Sequence, residues 1–249
     1  MKYLLTILIF VIGVKSFACK CAFNDPIRSF STEEFVGHIK ITQVYPNEGE
    51  SSVYKTDVEL LELFKGSEIT SIFVGGRSDG KIGTSCDVFY PAGSELVVTA
   101  SRNSSGQLVF GMCSFIIDLN AERRSNQINL DVIRTLSKWD NTYSSNLEYF
   151  ISSEFADLLE SKKGIQVKER FALFEVNFND QQLPIEVNVI KGFEDPVDAE
   201  IVETLSNCTY KLRPFGADKS RSDSIKIVVP VYFYPAERGN KSFMGTFVL

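Results

Sequence analysis

The 249-residue sequence predicts a mainly β protein with an α+β C-terminal part, and three patterns carry this prediction. Five short segments of alternating apolar and polar residues follow one another between residues 33 and 115, with glycine, proline and asparagine turns between them. Helical spacing of apolar residues replaces the alternation between residues 130 and 159. From residue 171 the pattern is strand, strand, helix, strand, which is typical of a compact α+β module.

The five N-terminal strands are predicted where each alternating run closes on a turn signal. The runs EEFVGHIKITQVYP and YKTDVELLELFKG end at Pro46 and Gly66, and their alternation favours two paired strands. Three further runs follow at similar spacing: ITSIFVGG, DVFYPAGSELVVTA and GQLVFGMCS. Five short strands within about a hundred residues predict a small barrel.

Two helices are predicted after the barrel. Apolar residues recur at intervals of three and four from Leu130 to Trp139, and again from Leu147 to Leu159. Gly164 supplies a stop signal for the second helix. This pattern predicts a helical connector.

The last module is predicted from its turn and cap residues. FALFEVNFN and PIEVNVIKG flank a Gln-Gln turn and predict a hairpin. A helix is expected next, with Asp195 as its cap and Pro196 at its first position, and SIKIVVPVYFYP is the final strand. The predicted units are therefore a signal peptide over 1–18, a barrel over 19–120, a connector over 121–165 and an α+β domain over 166–249.

The chain start has the features of an export signal. Lys2 precedes an apolar run from Tyr3 to Val14, and Ser16-Phe17-Ala18 is a small-x-small cleavage site, so the mature chain is expected to begin at Cys19. A rival interpretation makes Cys19 the lipidated cysteine of a bacterial lipoprotein. No apolar run reaches the about 20 residues of a transmembrane helix, so we expect a periplasmic or extracellular protein without a membrane span.

Charge excludes two classes of partner. Removal of Lys2 and Lys15 with the signal leaves 24 basic against 32 acidic residues, a net charge of −8. Nucleic acid and anionic membrane surfaces both require a basic face. The charge therefore argues against both of these classes of partner.

The five cysteines favour a disulfide framework. In an exported chain, Cys19, Cys21, Cys86 and Cys113 read as two disulfides, with Cys208 left over as a free cysteine. Cys19 and Cys21 are too close in sequence to pair readily with each other, so two pairings remain open. A zinc site of four thiolates is the alternative, but it requires reduced cysteines.

Residues 19–118 resemble the netrin-like fold, and within it the tissue inhibitors of metalloproteinases. The matching features are the CKC of the mature terminus, ELLELFKG, and TSCDVFYPAGSELVVTA leading to GQLVFGMCS. The resemblance implies a five-stranded OB-fold barrel with disulfides Cys19–Cys86 and Cys21–Cys113. It departs from the family at Asp87, where a glycine commonly follows the third cysteine.

The same resemblance implies a site for binding a protease. The α-amine and carbonyl of Cys19 would chelate the zinc of a metalloprotease, and Lys20 would enter its specificity pocket. Thr84 and Ser85, beside Cys86, would form the flanking contact edge. No intrinsic metal and no cofactor are expected.

Residues 168–235 resemble a second family, the TonB C-terminal domain. The likeness lies in the hairpin, the helix, the K-x-x-P bend and the closing strand IKIVVPVYFYP. It implies a domain that adds a partner's extended segment to an exposed sheet edge.

Enzymatic motifs fail on inspection. GRSDG satisfies G-x-S-x-G, but a nucleophile elbow needs a helix next and a later histidine, and the only histidine is the earlier His38. We therefore predict a non-enzymatic, exported protein-binding protein, with metalloprotease inhibition through Cys19 as its most concrete form. The alternative is a cell-envelope interaction protein whose C-terminal domain binds segments of an outer-membrane partner by strand addition.

Overall fold

The structure is a computed structural model that describes residues 21, 25–81, 83–139, 147–214 and 225–247. The helices within these residues are α1 (Pro26–Thr32), α2 (Arg124–Lys138), α3 (Ser153–Ser161) and α4 (Val197–Asn207). The strands are β1 (Phe35–Val44), β2 (Val53–Lys65), β3 (Ser71–Gly75), β4 (Glu95–Arg102), β5 (Leu108–Phe110), β6 (Ile116–Asp118), β7 (Leu147–Ile151), β8 (Phe171–Phe178), β9 (Pro184–Lys191), β10 (Tyr210–Pro214), β11 (Ile225–Tyr234) and β12 (Phe243–Gly245).

The N-terminal strands form a closed five-stranded barrel. Its order is β1-β2-β3-β5-β4, and β4 pairs back onto β1 to close it. β3 and β5 are parallel and the other neighbours are antiparallel. Alternate residues of each strand point inward, so the apolar half of the pattern fills the barrel with side chains such as Ile39, Ile41, Val74 and Val98. The small barrel predicted from the sequence is confirmed, and it is OB-fold-like.

Helix α2 lies between the barrel and the C-terminal sheet. Leu130 and Ile133 pack into a cluster with Val97 and Ile117 of the barrel. Ile128, Val132 and Leu136 instead pack with residues of the C-terminal sheet, a group that comprises Phe171, Leu173, Val228 and Tyr232. One helix therefore contributes side chains to two cores.

The C-terminal residues form a four-stranded antiparallel sheet in the order β12-β11-β8-β9. The predicted hairpin is β8 and β9, and the turn between them includes Gln182 with a positive φ of 61°. The predicted helix is α4, which begins at Val197 with Pro196 at its cap position, one residue later than predicted. The N–H of Val197 donates to the Asp195 carboxylate at 3.0 Å. Helix α4 covers one face of this sheet through Val197, Ile201 and Leu205.

The prediction of helix from Leu147 onward is wrong. Leu147–Ile151 is the strand β7, antiparallel to β10, and α3 begins only at Ser153. Tyr149 and Ile151 pack against the C-terminal core, whereas Phe150 is exposed beneath the guanidinium of Arg213. An apolar residue on the outer face of the strand hid the two-residue period that would have identified it.

Over the residues described above, none of the helices combines the length and apolar character needed to cross a membrane.

Candidate functional site

The disulfide Cys21–Cys113 fixes the start of the described chain to one end of the barrel. The two Cα atoms are 5.1 Å apart and 92 residues apart in sequence. Cys86 is also disulfide-bonded. Its predicted partner Cys19, the neighbouring Lys20 and the signal peptide lie outside the described residues. The pairing implied for Cys21 is thus present.

Backbone contacts bring the Cys86 loop to the same barrel end as Cys113. The N–H of Val88 donates to the carbonyl of Gly75, at the end of β3, at 3.0 Å. Gly75 in turn packs closely against Gly111. An alanine methyl group at position 111 would lie 3.6 Å from the Cα of Gly75. Cys86 and Cys113 each stand two residues from this junction. We call the loops 83–88 and 111–114, with Cys21, the disulfide end of the barrel.

The Asp87 carboxylate organises the turn that carries Cys86. It accepts from the N–H of Gly83 at 2.8 Å and of Thr84 at 3.0 Å through Oδ2, and from the Thr84 hydroxyl at 2.7 Å through Oδ1. The Thr84 hydroxyl oxygen accepts from the Cys86 N–H at 3.2 Å. These bonds hold Ser85 at the exposed tip of the turn. The Thr84 side chain therefore takes part in the hydrogen bonds of the turn, and Ser85 lies at its tip.

Hydrogen bonding also sets the charge of this region. The bond from the Thr84 hydroxyl, aided by the two backbone N–H groups, lowers the pKa of Asp87. Nearby, Arg77 donates to Asp79 at 2.8 Å and lowers the pKa of Asp79 to about 2. Both carboxylates are therefore charged at neutral pH, and the turn keeps its anchor.

The surface at the disulfide end suits contact with a protein. Thr84, Ser85, Cys86 and Cys113 are exposed, and Met112 exposes 53% of its surface beside them. Methionine adapts its shape to apolar partners. The disulfides restrict the movement of these loops, so the exposed side chains form a contact surface with a fixed shape.

Among the described residues, the side chains around GRSDG do not form a nucleophile–base pair. The Ser78 hydroxyl bonds to the Asn47 carboxamide oxygen at 3.0 Å, and His38 Nε2 lies 2.8 Å from Glu95 Oε1. Serine and histidine thus each have a different partner. Within the ranges that the structure describes, no group of three or more histidine, cysteine, aspartate or glutamate side chains is placed to hold a metal ion.

A second candidate site is the outer edge of β9. Among the described residues β9 pairs with β8 alone, so its other edge carries no strand. Ile185 and Val189 on this strand are 65% and 48% exposed, and Leu183 just before it is also exposed. An uncovered edge with exposed apolar side chains favours the addition of another strand.

Two features of these sites escaped the sequence analysis. Asp87 stood out only as a departure from a family pattern, although Thr-x-x-Asp has the spacing of a capping box, in which the acidic side chain reaches back to the N–H of the Thr. The exposure of Ile185 and Val189 is invisible in an alternating run. Cys208 is buried and free, in agreement with its prediction as the left-over cysteine.

Comparison with known proteins does not distinguish between the two candidate sites, since no protein-family model matches the chain and none of the curated proteins matches it.

Proposed function

We propose that this is an exported, non-enzymatic protein-binding protein whose disulfide end contacts its partner, and that the partner class is a zinc metalloprotease. One observation carries the proposal: the Cys21–Cys113 bond anchors the chain two residues after Cys19 at the barrel end where Ser85 and Met112 are exposed. The resemblance of residues 19–118 to the netrin-like inhibitors is the reason for choosing a zinc metalloprotease as the binding partner.

The proposed mechanism is chelation by a pre-positioned terminus. Two residues of chain span at most about 7 Å, so an anchored Cys21 restricts where the Cys19 amine can reach. A neutral amine and a carbonyl oxygen can occupy open positions on a catalytic zinc and displace its water. Ordering this terminus before binding reduces the entropy lost on association. Lys20 would direct an ammonium group into the protease pocket, which selects a pocket with acidic residues.

The test compares three forms of the full mature protein against a panel of secreted zinc metalloproteases. The form that begins at Cys19 is expected to inhibit at least one of them. Adding one alanine before Cys19 should abolish inhibition, because it converts the amine to an amide. Lys20→Thr keeps the chelating atoms and should change the preferred protease. Equal inhibition with and without the added alanine, or no inhibition by the native terminus, would contradict the proposal.

A second candidate function is favoured by the β9 edge. Here the C-terminal module, which resembles the TonB C-terminal domain over residues 168–235, binds an extended segment by strand addition. The full-length protein should capture extended β-forming peptides. Ile185→Lys should weaken this capture, and Leu61→Lys, a substitution at a barrel residue that is 43% exposed, is the matched control. Capture that ignores Ile185→Lys would place the binding elsewhere.

A further inference from the structure

The outer edge of β9 is regular over a short segment only. Its register against β8 shifts between Leu173 and Phe174 and again between Asn177 and Phe178, so the regular ladder runs from Glu186 to Val189. Register irregularities limit how far an added strand can extend. A strand that adds to this edge therefore meets the regular segment from Glu186 to Val189, with Ile185 at the register shift that ends it.

The two faces of this segment differ in chemistry. Val187 and Val189 oppose Val176 and Phe174 on the face covered by α4. Ile185 lies at the register shift beside Pro184, which is the partner of Phe178 on that same face. The other face is polar.

Glu186 and Asn188 form that polar face together with their neighbours on β8. Asn177 Nδ2 donates to Glu186 Oε2 at 3.1 Å, and Asn188 Nδ2 donates to Glu175 Oε1 at 3.3 Å. These bonds use one carboxylate oxygen of Glu186 and one N–H of Asn188. A second oxygen and a second N–H stay available at the exposed edge.

Symmetry decides which registers a second copy of β9 can adopt. A two-fold axis perpendicular to the sheet keeps each face on its own side, so opposed residue numbers must differ by an even number. An axis at Glu186 would bring two carboxylates face to face, and like charges directly opposite are destabilising. An axis at Asn188 would set Glu186 against the apolar Ile190. An axis at Val187 opposes Ile185 with Val189 and Glu186 with Asn188.

We propose that β9 pairs antiparallel with β9 of a second copy of this chain, on a two-fold axis at Val187. Each Asn188 side chain then donates its second N–H to Glu186 of the other copy, twice by symmetry. Ile185, Val187 and Val189 of both copies form one continuous apolar stripe. The proposal rests on the second candidate function, the use of the β9 edge as a binding site, and names its partner.

The dimer is expected to be weak. Five paired residues per copy bury much less than the about 1,200 Å² at the lower end of stable interfaces. The net negative charge of both copies also opposes association. We therefore expect a dissociation constant in the micromolar range or above, and reversible exchange with monomer.

Sedimentation velocity of the full mature protein over a wide concentration range tests the proposal. The apparent mass should double as concentration rises. Ile185→Lys alone and Val189→Glu alone should each weaken dimerisation about ten-fold, because each sets a charge against an apolar residue at two symmetric positions. In the double variant Ile185→Lys/Val189→Glu, every lysine faces a glutamate of the other copy and dimerisation should return. Leu61→Lys is the control for added charge, and far-UV circular dichroism checks that each variant folds.

The outcomes separate the possible errors. A protein that stays monomeric at millimolar concentration overturns the proposal, and the second candidate function survives that result if the same protein still captures peptides. A dimer that is indifferent to Ile185→Lys lies on another surface. A folded double variant that stays monomeric rules out the Val187 axis.

Discussion

The packing of α2 into two cores makes a quantitative prediction about stability. Ile133 is fully buried against the barrel and Leu136 is 1% exposed against the C-terminal sheet, three residues away on the same helix. Ile133→Ala and Leu136→Ala each remove three buried carbons. At about 0.8 kcal/mol per buried methylene this costs about 2.4 kcal/mol, and the residual cavity raises the cost to about 3–4 kcal/mol.

If the two cores unfold together, the two substitutions should be equivalent. Each should shift one urea transition to lower concentration by about 1 M, for an m-value of about 3 kcal/mol/M. The fluorescence of Trp139, the only tryptophan, reports the end of α2, and far-UV circular dichroism reports the whole chain. The two signals should coincide in both variants. Leu61→Ala, at an exposed barrel position, should cost less than about 0.5 kcal/mol.

Hydrogen exchange supplies the result that would refute this reasoning. In both variants, exchange should speed up in peptides from β4 of the barrel and in peptides from β11 of the C-terminal sheet. Two results would show that the two cores unfold independently. In one, the amides of β4 stay protected from exchange in Leu136→Ala; in the other, the fluorescence and dichroism transitions occur at different urea concentrations.

Three further predictions concern the barrel. The double variant Cys21→Ala/Cys113→Ala opens a loop of 92 residues and should lower the free energy of unfolding by about 4 kcal/mol, measured by urea titration without reductant. The pKa of Asp87 is lower in the folded protein than the unfolded value of about 3.9, so ionised Asp87 stabilises its turn above pH 3.9, and this stability is lost as the pH falls through the folded pKa. The NMR chemical shift of the Thr84 amide should therefore titrate below pH 3.9. The substitution Asp87→Asn should remove that titration. Burial raises the pKa of Tyr54 to about 12, so an ultraviolet pH titration should detect a tyrosine that ionises near pH 12 and is absent in Tyr54→Phe. The same variant leaves the Tyr90 N–H without its acceptor, which should lower the free energy of unfolding by about 1–3 kcal/mol.

The extent of sequence-based prediction follows from what a pattern can encode. The barrel strands β2 and β3 were predictable because one face is more buried than the other, and a two-residue period records this directly. The strand β8 is buried on both faces and was predictable from its run of strand-forming residues next to a turn signal. The strand β7 was not predictable, since the contact of Phe150 with Arg213 depends on β10, about sixty residues later. A period records burial but carries no information about the partner strand.

The candidate sites show the same limit. The cysteine spacing left two disulfide pairings open, and the choice of Cys21–Cys113 came from a resemblance. The role of Asp87 depends on the fold of a five-residue turn, where the carboxylate replaces missing backbone partners. The edge position of β9 depends on the strand order of the whole sheet, which no local pattern specifies.

The shared helix also determines which experiments can separate the two candidate functions. Residues 166–249 expressed alone would lack α2 and would expose Phe171, Leu173, Val228 and Tyr232, which are buried in the full chain. An exposed apolar face of this kind promotes nonspecific association. Peptide capture or dimerisation by such a fragment could therefore arise from the uncovered face and not from the β9 edge. Point substitutions on the outer edge of β9 leave α2 in place, so only in the full-length protein does a loss of binding identify the edge as its cause.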